Sequence, residues 1–453
     1  MRNSVVLGLT VVLFVAPLAR GGQNEVSYNS RALSLNDCIA LALNESPALE
    51  ASRLDVTSAA EDARAARDQT LPEITGRAAY QYFSGSPTSK FSIVDAGTGI
   101  GVGVNSAIES GAVETYSAHL SYPLFRDGSI LGLNTAPAEA SKLARRRNLA
   151  WTSRLRREDV IARITDAFIS TVSAENRAGY AERRVKLLQQ QVDITQEQQK
   201  QGLTLPIDLK LAQSQLSGAE TLSKILRQQA VAGKIELTRS LGFDSPDEFR
   251  LSDELPEPPE PPSAKLLLGP NLNQHPSLEV QKAVIDQARQ DYRLEHFRLY
   301  PSVTLEGSAI HIDDFGSSSA DLYAGIVSVN VPIFDFGAQQ ATTRSRLAKY
   351  QAERARLSSV ADDVAFEIVT IYQSIYVLSQ NILSLQQEVA KADRDVQVTG
   401  SQQQEGIATP LAAIEKELHL IAKRDDLDGL EVRRLMLYAA LQKASGGSWK
   451  WVK

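Results

Sequence analysis

Two periodicities alternate along this chain. Ile74, Ala78, Tyr80 and Tyr82 alternate with Thr75, Arg77 and Gln81, and Tyr116, Ala118, Leu120 and Tyr122 alternate with Ser117, His119 and Ser121. A period of two with one aromatic-rich apolar face and one polar face predicts strands, and it suits strands placed between lipid and a wet lumen. The pattern returns as Val303, Leu305 and Ala309, and again as Tyr323, Gly325, Val327, Val329 and Val331. Four strands are therefore expected, at about 73–84, 113–125, 302–312 and 321–334. The segments Ser84 to Gly111 and Asp313 to Ser319 are rich in turn-forming residues and read as exposed loops.

Elsewhere the pattern is helical. Asp55 to Gln69 is rich in alanine and charge, as suits a solvated helix with a narrow apolar face, and Pro72 ends it. From about Ala136 to Lys200, and from about Ala338 to Glu405, no proline follows Pro137. Helices of that length approach roughly 100 Å at 1.5 Å per residue. In the second of them Val369, Tyr372, Tyr376 and Leu383 follow spacings of three, four and seven, which predicts a coiled-coil seam. Both helices break at matched places, Gln201-Gly202-Leu203-Thr204-Leu205-Pro206 and Glu405-Gly406-Ile407-Ala408-Thr409-Pro410. Glycine takes the left-handed position that ends a helix and proline opens the next one, so these are tips of helical hairpins.

The matched tips belong to a wider repetition. Asn44-Glu45-Ser46-Pro47 returns 229 positions later as Asn273-Gln274-His275-Pro276, and Leu71-Pro72 returns as Tyr300-Pro301. Tyr122-Pro123-Leu124-Phe125 and Gly128 return at an offset of 209 as Val331-Pro332-Ile333-Phe334 and Gly337. Gly202 and Gly242 return at 204 as Gly406 and Gly446. The organisation expected is a signal peptide at 1–21, a first repeat at 22–243, an acidic proline-rich linker at 244–271, a second repeat at 272–447 and a tail at 448–453.

Composition narrows the class. Of the 453 residues 43% are hydrophobic, which with a mean hydropathy of -0.20 excludes a bundle of lipid-immersed helices and leaves room for a β-barrel. Four strands cannot close a barrel, and open edges in lipid would leave backbone groups unpaired; a spanning barrel must be completed by further copies of the chain. The net charge of -6, with both signs interspersed, offers no surface for nucleic acid. Met1 and Arg2, the apolar run Val5 to Leu18 and the small residues Ala19, Gly21 and Gly22 read as an export signal. Cys38 has no partner for a disulfide and reads as a small buried hydrophobe in a helix.

Catalytic chemistry is not visible. The five histidines have no metal-ligand spacing, and His119 and His311 are expected to face lumen or interface water. Asp362-Asp363 and Asp425-Asp426 are adjacent on helices and read as solvated surface. No enzyme and no cofactor are expected. These residues also admit a different class, a periplasmic coiled-coil adaptor or structural envelope protein without a barrel.

In their duplicated order, Leu33-Ser34-Leu35, Ala40-Leu41-Ala42-Leu43-Asn44 and Pro47, the strand ends at Pro123, Phe125, Pro332 and Phe334, and the tips at Gly202 and Gly406 make the chain resemble the TolC-like outer membrane factors. The resemblance implies a mixed α/β membrane protein: a homotrimer whose four strands per chain close a twelve-stranded outer-membrane β-barrel, continued by a long α-helical periplasmic barrel. It implies an exit duct of a tripartite efflux or type I secretion system, in outer-membrane lipid, whose partners are a periplasmic adaptor and an inner-membrane pump of RND or ABC type. The tip residues Gly202, Leu203, Thr204, Gly406, Ile407, Ala408 and Thr409 would meet the adaptor. Family members close the entrance partly with acids after the second tip; the matching positions here are Ala412 and Glu415, and Asp208 stands in the first tip where Ala412 stands in the second. Asp208 and Glu415 are thus candidates for a gate that favours cations by fixed charge. Glu415 is equally readable as a solvated helix residue. The ending Gly446-Gly447-Ser448-Trp449 resembles that of members serving proton-driven drug pumps, with Ser448 as an addition.

Overall fold

The computed structural model describes residues 32–451 except 85–90, 95–100, 105–109, 247–248, 253–254, 256, 270–271 and 315–317. The expected signal at 1–21 lies outside the described residues. The chain opens with β1 (Ala32–Leu33), α1 (Leu35–Glu45) and α2 (Pro47–Asp68). Ser34 begins α1 with a capping box, its hydroxyl accepting from the Asp37 N–H while the Asp37 carboxylate accepts from the Ser34 N–H. Pro47 starts α2 well before the expected Asp55, since proline is favourable in a first helical turn.

The main sheet joins β2 (Glu73–Ser84), β5 (Ser110–Arg126), β8 (Ser302–Asp314) and β9 (Ser318–Asn330) in that order, antiparallel throughout, with β6 (Ser129–Ile130) turned back on β5. Three expectations are corrected here. The segment 84–111 is not loop alone: β3 (Phe91–Val94) and β4 (Gly101–Val104) pair as a separate hairpin inside it. Strand β9 starts at Ser318 and stops at Asn330, because Pro332 has no N–H to donate to a ladder; Pro332 and Phe334 lie in the connection beyond it. Pro123, by contrast, stays within β5, where a bulge between Pro123 and Phe125 leaves Leu124 out of register, and the Leu124 carbonyl accepts from the Leu131 N–H at 2.9 Å.

Below the sheet run the helices α3 (Pro137–Lys200), α4 (Pro206–Leu241), α7 (Ala338–Gln404) and α8 (Pro410–Ala444). The 64 residues of α3 extend for roughly 100 Å. Between the two helical hairpins come β7 (Arg250–Leu251), which pairs in parallel with β1, then α5 (Ala264–Leu268) and α6 (Pro276–Phe297). The helix α3 packs on α2, α4, α6 and α8, while α6 also packs on α7.

Two cores lie where these layers cross. The first holds Leu33, Cys38, Ile39, Ile164, Phe168, Leu237 and Phe249, drawn from α1, α3, α4, β1 and the residue before β7; Cys38 is buried as expected. The second holds Leu267, Leu278, Ile368, Ile375, Tyr438 and Leu441 from α5 to α8. The seam expected in α7 is displaced by one residue. Val364, Ile368, Ile375, Leu378 and Ile382 are the buried stripe, whereas Tyr376 and Leu383 of the expected seam are exposed. Asp425, read as solvated surface, accepts from Arg177 of α3 at 3.0 Å and so ties α8 to α3.

Candidate functional site

The two hairpin tips share one backbone solution. At the first, Gly202 has φ of 72° and donates to the Gln199 carbonyl, while the Leu203 N–H donates to the Gln198 carbonyl at 2.8 Å. At the second, Gly406 has φ of 76° and donates to the Gln403 carbonyl, while the Ile407 N–H donates to the Gln402 carbonyl at 2.8 Å. Both patterns satisfy the last carbonyls of a long helix through a left-handed residue. The two returning helices begin with different capping chemistry. Leu205 supplies no side-chain acceptor before α4, and the Asp208 carboxylate instead accepts from the Leu205 N–H at 3.1 Å and the Thr204 hydroxyl at 2.9 Å. In the second tip Thr409 caps α8 itself, its hydroxyl accepting from the Ala412 N–H at 3.3 Å.

The tips therefore give the two candidate acids different environments. Asp208 is exposed and engaged with the start of α4, where the positive end of the helix dipole favours it. Glu415 is exposed one turn into α8, and among the described residues no hydrogen bond or ion pair holds it. Apolar side chains also stand out at the tips: Leu203, Leu205, Ile207 and Ile407 are each more than half exposed. Thr204 and Ala408 are half-buried.

Strand register collects the sheet's expected apolar face. Directly opposed residues share a face, so the rows Ile74, Leu120, Gly307, Gly325 and Gly76, Ala118, Ala309, Tyr323 lie on one side, followed by Ala78, Tyr116, His311, Asp321. Tyr80, Tyr82, Tyr116 and Tyr323 stand exposed on this face toward the end away from the helices. Arg77, Ser117 and His119 are on the other. The two strand histidines thus part: His119 lies with Ser117, its Nε2 3.1 Å from the hydroxyl oxygen, and His311 stands on the aromatic face 2.7 Å from Asp321. The polar face is not uniformly polar, since Ile310 and Ile312 are buried there beside Leu322. The free edges of the sheet, β2 and β9, have no strand beyond them among the described residues.

The belt around the helices contains contacts that the sequence did not announce. Gly446 and Gly447 turn the chain after α8, both with positive φ, and Gly447 is packed so closely on Glu158 that a Cβ would come within 2.8 Å of its carboxylate. Trp449 and Trp451 fold back on Tyr438, with ring centroids at 5.8 and 6.1 Å. No group of three or more His, Cys, Asp or Glu side chains among the described residues is placed to hold a metal ion.

Residues 38–243 and 267–447 match the model of a family described as outer membrane efflux protein. The chain belongs to the outer membrane efflux protein family. Membership in this TolC-like family places it in the outer membrane with a helical periplasmic extension. A curated relative, the pyoverdine export outer membrane protein OpmQ of Pseudomonas aeruginosa, is 27% identical over 189 residues, which span 40% of this chain and 38% of the relative. Solved structures agree over most of the fold. VceC of Vibrio cholerae superposes with a TM-score of 0.72 at 19% identity, covering 92% of this chain and 97% of its own. The Campylobacter jejuni CmeC outer membrane channel gives 0.74 at 15% identity, with 92% and 87% covered, and the open state of the Neisseria gonorrhoeae MtrE channel gives 0.73 at 16%, with 92% and 90% covered.

Proposed function

We propose that three copies of this outer membrane efflux family protein form a passive exit duct, twelve strands closing a barrel in the outer membrane and the helices continuing it as a tunnel through the periplasm. The observation that carries the reading is the four-stranded sheet with one aromatic, exposed face and two free edges, β2 and β9. Such a sheet is stable in lipid only when its edges are closed on other strands. The recurring order of helix, strand pair and helical hairpin supports an internal duplication, from which six quasi-equivalent units would surround the axis.

The helices support the same assembly. One helix among the described residues, α7, contains a stretch apolar enough to cross a membrane, yet only 22% of that stretch is buried within the chain. Phe366, Tyr376, Val377 and Leu383 form its exposed stripe, and a neighbouring subunit is the natural cover for it. The adaptor-like alternative has no use for a lipid-compatible sheet face.

In this reading the exposed tips Gly202 to Thr204 and Gly406 to Thr409 meet a periplasmic adaptor, and an inner-membrane pump of RND or ABC type spends the energy. Asp208 and Glu415 set the charge of the periplasmic entrance, with Glu415 the freer of the two. The cargo is chosen by the pump, because the duct needs only a path. Purified, signal-cleaved protein in planar bilayers tests this. A small, cation-preferring conductance that rises or loses selectivity in Glu415→Ala supports a duct gated at the tips; a conductance unchanged by the mutation moves the gate elsewhere, and failure of folded protein to insert removes the duct.

A further inference from the structure

Each half carries a left-handed pair of residues between the sheet and its long helix: the first turns β5 back into β6, ahead of α3, and the second leads directly into α7. Asp127 and Gly128 follow β5 with φ of 53° and 84°; Phe336 and Gly337 follow β9 with φ of 55° and 84°. Such backbone is ordinary for glycine, but a residue with a side chain is held there only by its surroundings. For the first pair the surroundings are present. Gly128 lies against the ring of Phe297, where a Cβ would come within 2.6 Å of Cδ2, and the Arg298 guanidinium is 3.9 Å from the Asp127 carboxylate. Phe297 closes α6 and Arg298 follows it, and α6 feeds β8, the strand paired with β5.

The second pair repeats the positive φ values and, among the described residues, has none of those contacts. A Cβ on Gly337 meets open space, and Ile333, Phe334 and Phe336 are 91%, 76% and 92% exposed. The strand before this corner, β9, is a sheet edge, and among the described residues no strand beyond it brings a helix end to the corner. The other free edge is β2, and the helix that feeds β2 is α2, which ends at Asp68. Asp68 stands 229 positions before Phe297, the same offset that relates Leu71-Pro72 to Tyr300-Pro301. Both Asp68 and Gln69 are exposed.

We infer that the Phe336–Gly337 corner of one copy seats on the C-terminal end of α2, at Asp68, in the next copy, as the Asp127–Gly128 corner seats on Phe297 within one chain. The inference rests on the duct reading and names the contact that closes it. Bulk is exchanged between the two seats. Within the chain a small residue on the corner meets a ring on the helix; between chains a ring on the corner meets a short side chain on the helix. The same volume is filled from opposite sides, and the most exposed aromatic side chain at the foot of the sheet gains a cover.

The experiment is a cross-link in isolated outer membranes. The full chain carries Phe336→Cys and Asp68→Cys together, with Cys38 left in place because it is buried and its thiol is pushed up to about 12 by loss of solvent. A short bifunctional maleimide is expected to give covalent dimers and trimers from the double variant and only monomers from either single variant. Monomers alone from the double variant, with a trimeric mass retained in detergent, overturn the seat and leave the duct reading standing; a monomeric mass in detergent overturns both. As a second measurement, Phe336→Asp is expected to lower the dissociation temperature of the trimer by setting like charges together, and Asp68→Lys added to it to restore that temperature. Absence of rescue by Asp68→Lys counts against the seat.

Discussion

The imidazole of His275 joins the end of α8 to the start of α6: its Nε2 lies 3.0 Å from the Ala444 carbonyl oxygen, and its Nδ1 accepts from the Ser277 N–H at 3.2 Å. One neutral tautomer satisfies both bonds, with the proton on Nε2, and a second proton on Nδ1 would meet the Ser277 N–H head on. Burial lowers the His275 pKa from its ordinary value of 6.5, partly offset by the bond to Ala444. The native state therefore binds fewer protons than the unfolded chain, and this contribution to stability is present above about 6.5 and lost as the pH falls through the folded value. Thermal unfolding in detergent is expected to show a melting temperature that drops below pH 6.5, with a smaller drop in His275→Gln; equal slopes for the two proteins would count against it.

At the tips, Gly202→Ala and Gly406→Ala each force a side chain into the left-handed region, at a cost of roughly 1–2 kcal/mol. The loss is local, because no neighbour lies within 4 Å of a Cβ at either position. Amide exchange is expected to speed up around 198–208 or 402–412 while the global melting temperature stays close to wild type.

Asp208 and Glu415 are separable by stability. Removing the Asp208 carboxylate strips the cap of α4, and Asp208→Ala is expected to fray that helix end by about 1 kcal/mol, visible as faster exchange at 205–209. Glu415→Ala removes no hydrogen bond or ion pair among the described residues and is expected to leave exchange unchanged, so any effect on conductance belongs to its charge.

Phe168 is 0% exposed where α1, α3 and α4 meet. Phe168→Ala is expected to cost about 3–5 kcal/mol, read as a fall in the unfolding midpoint or in the yield of folded protein. By comparison Glu388→Gln breaks the exposed ion pair with Lys423, and the unfolding midpoint is expected to stay close to that of the wild type, because water and salt screen such a pair.

Local physics decides the features that could be read from the chain. The left-handed glycines at 202 and 406 and the prolines four residues on end and restart helices by backbone sterics alone, and the alternation from Ile74 and from Tyr116 assigns faces because a strand has period two. The swap of capping duty between Asp208 and Thr409 was latent in the same residues: Leu205 has no acceptor where Thr409 has one. Proline position likewise explains why β9 ends at Asn330.

By itself the sequence determined the four long strands and their faces, the long helices, the tips and the family, since each follows from neighbours along the chain or from a repeated pattern. Tertiary structure alone decided which of two adjoining stripes on α7 is buried, because Ile368 and Val369 are equally apolar and only the approach of α5, α6 and α8 chooses between them. It also decided that Asp425 reaches Arg177 and that the Gly446–Gly447 turn docks on His275 and Glu158, contacts between segments far apart in sequence. Periodicity fixes the direction in which a side chain points; the partner it meets there depends on where another element has been brought.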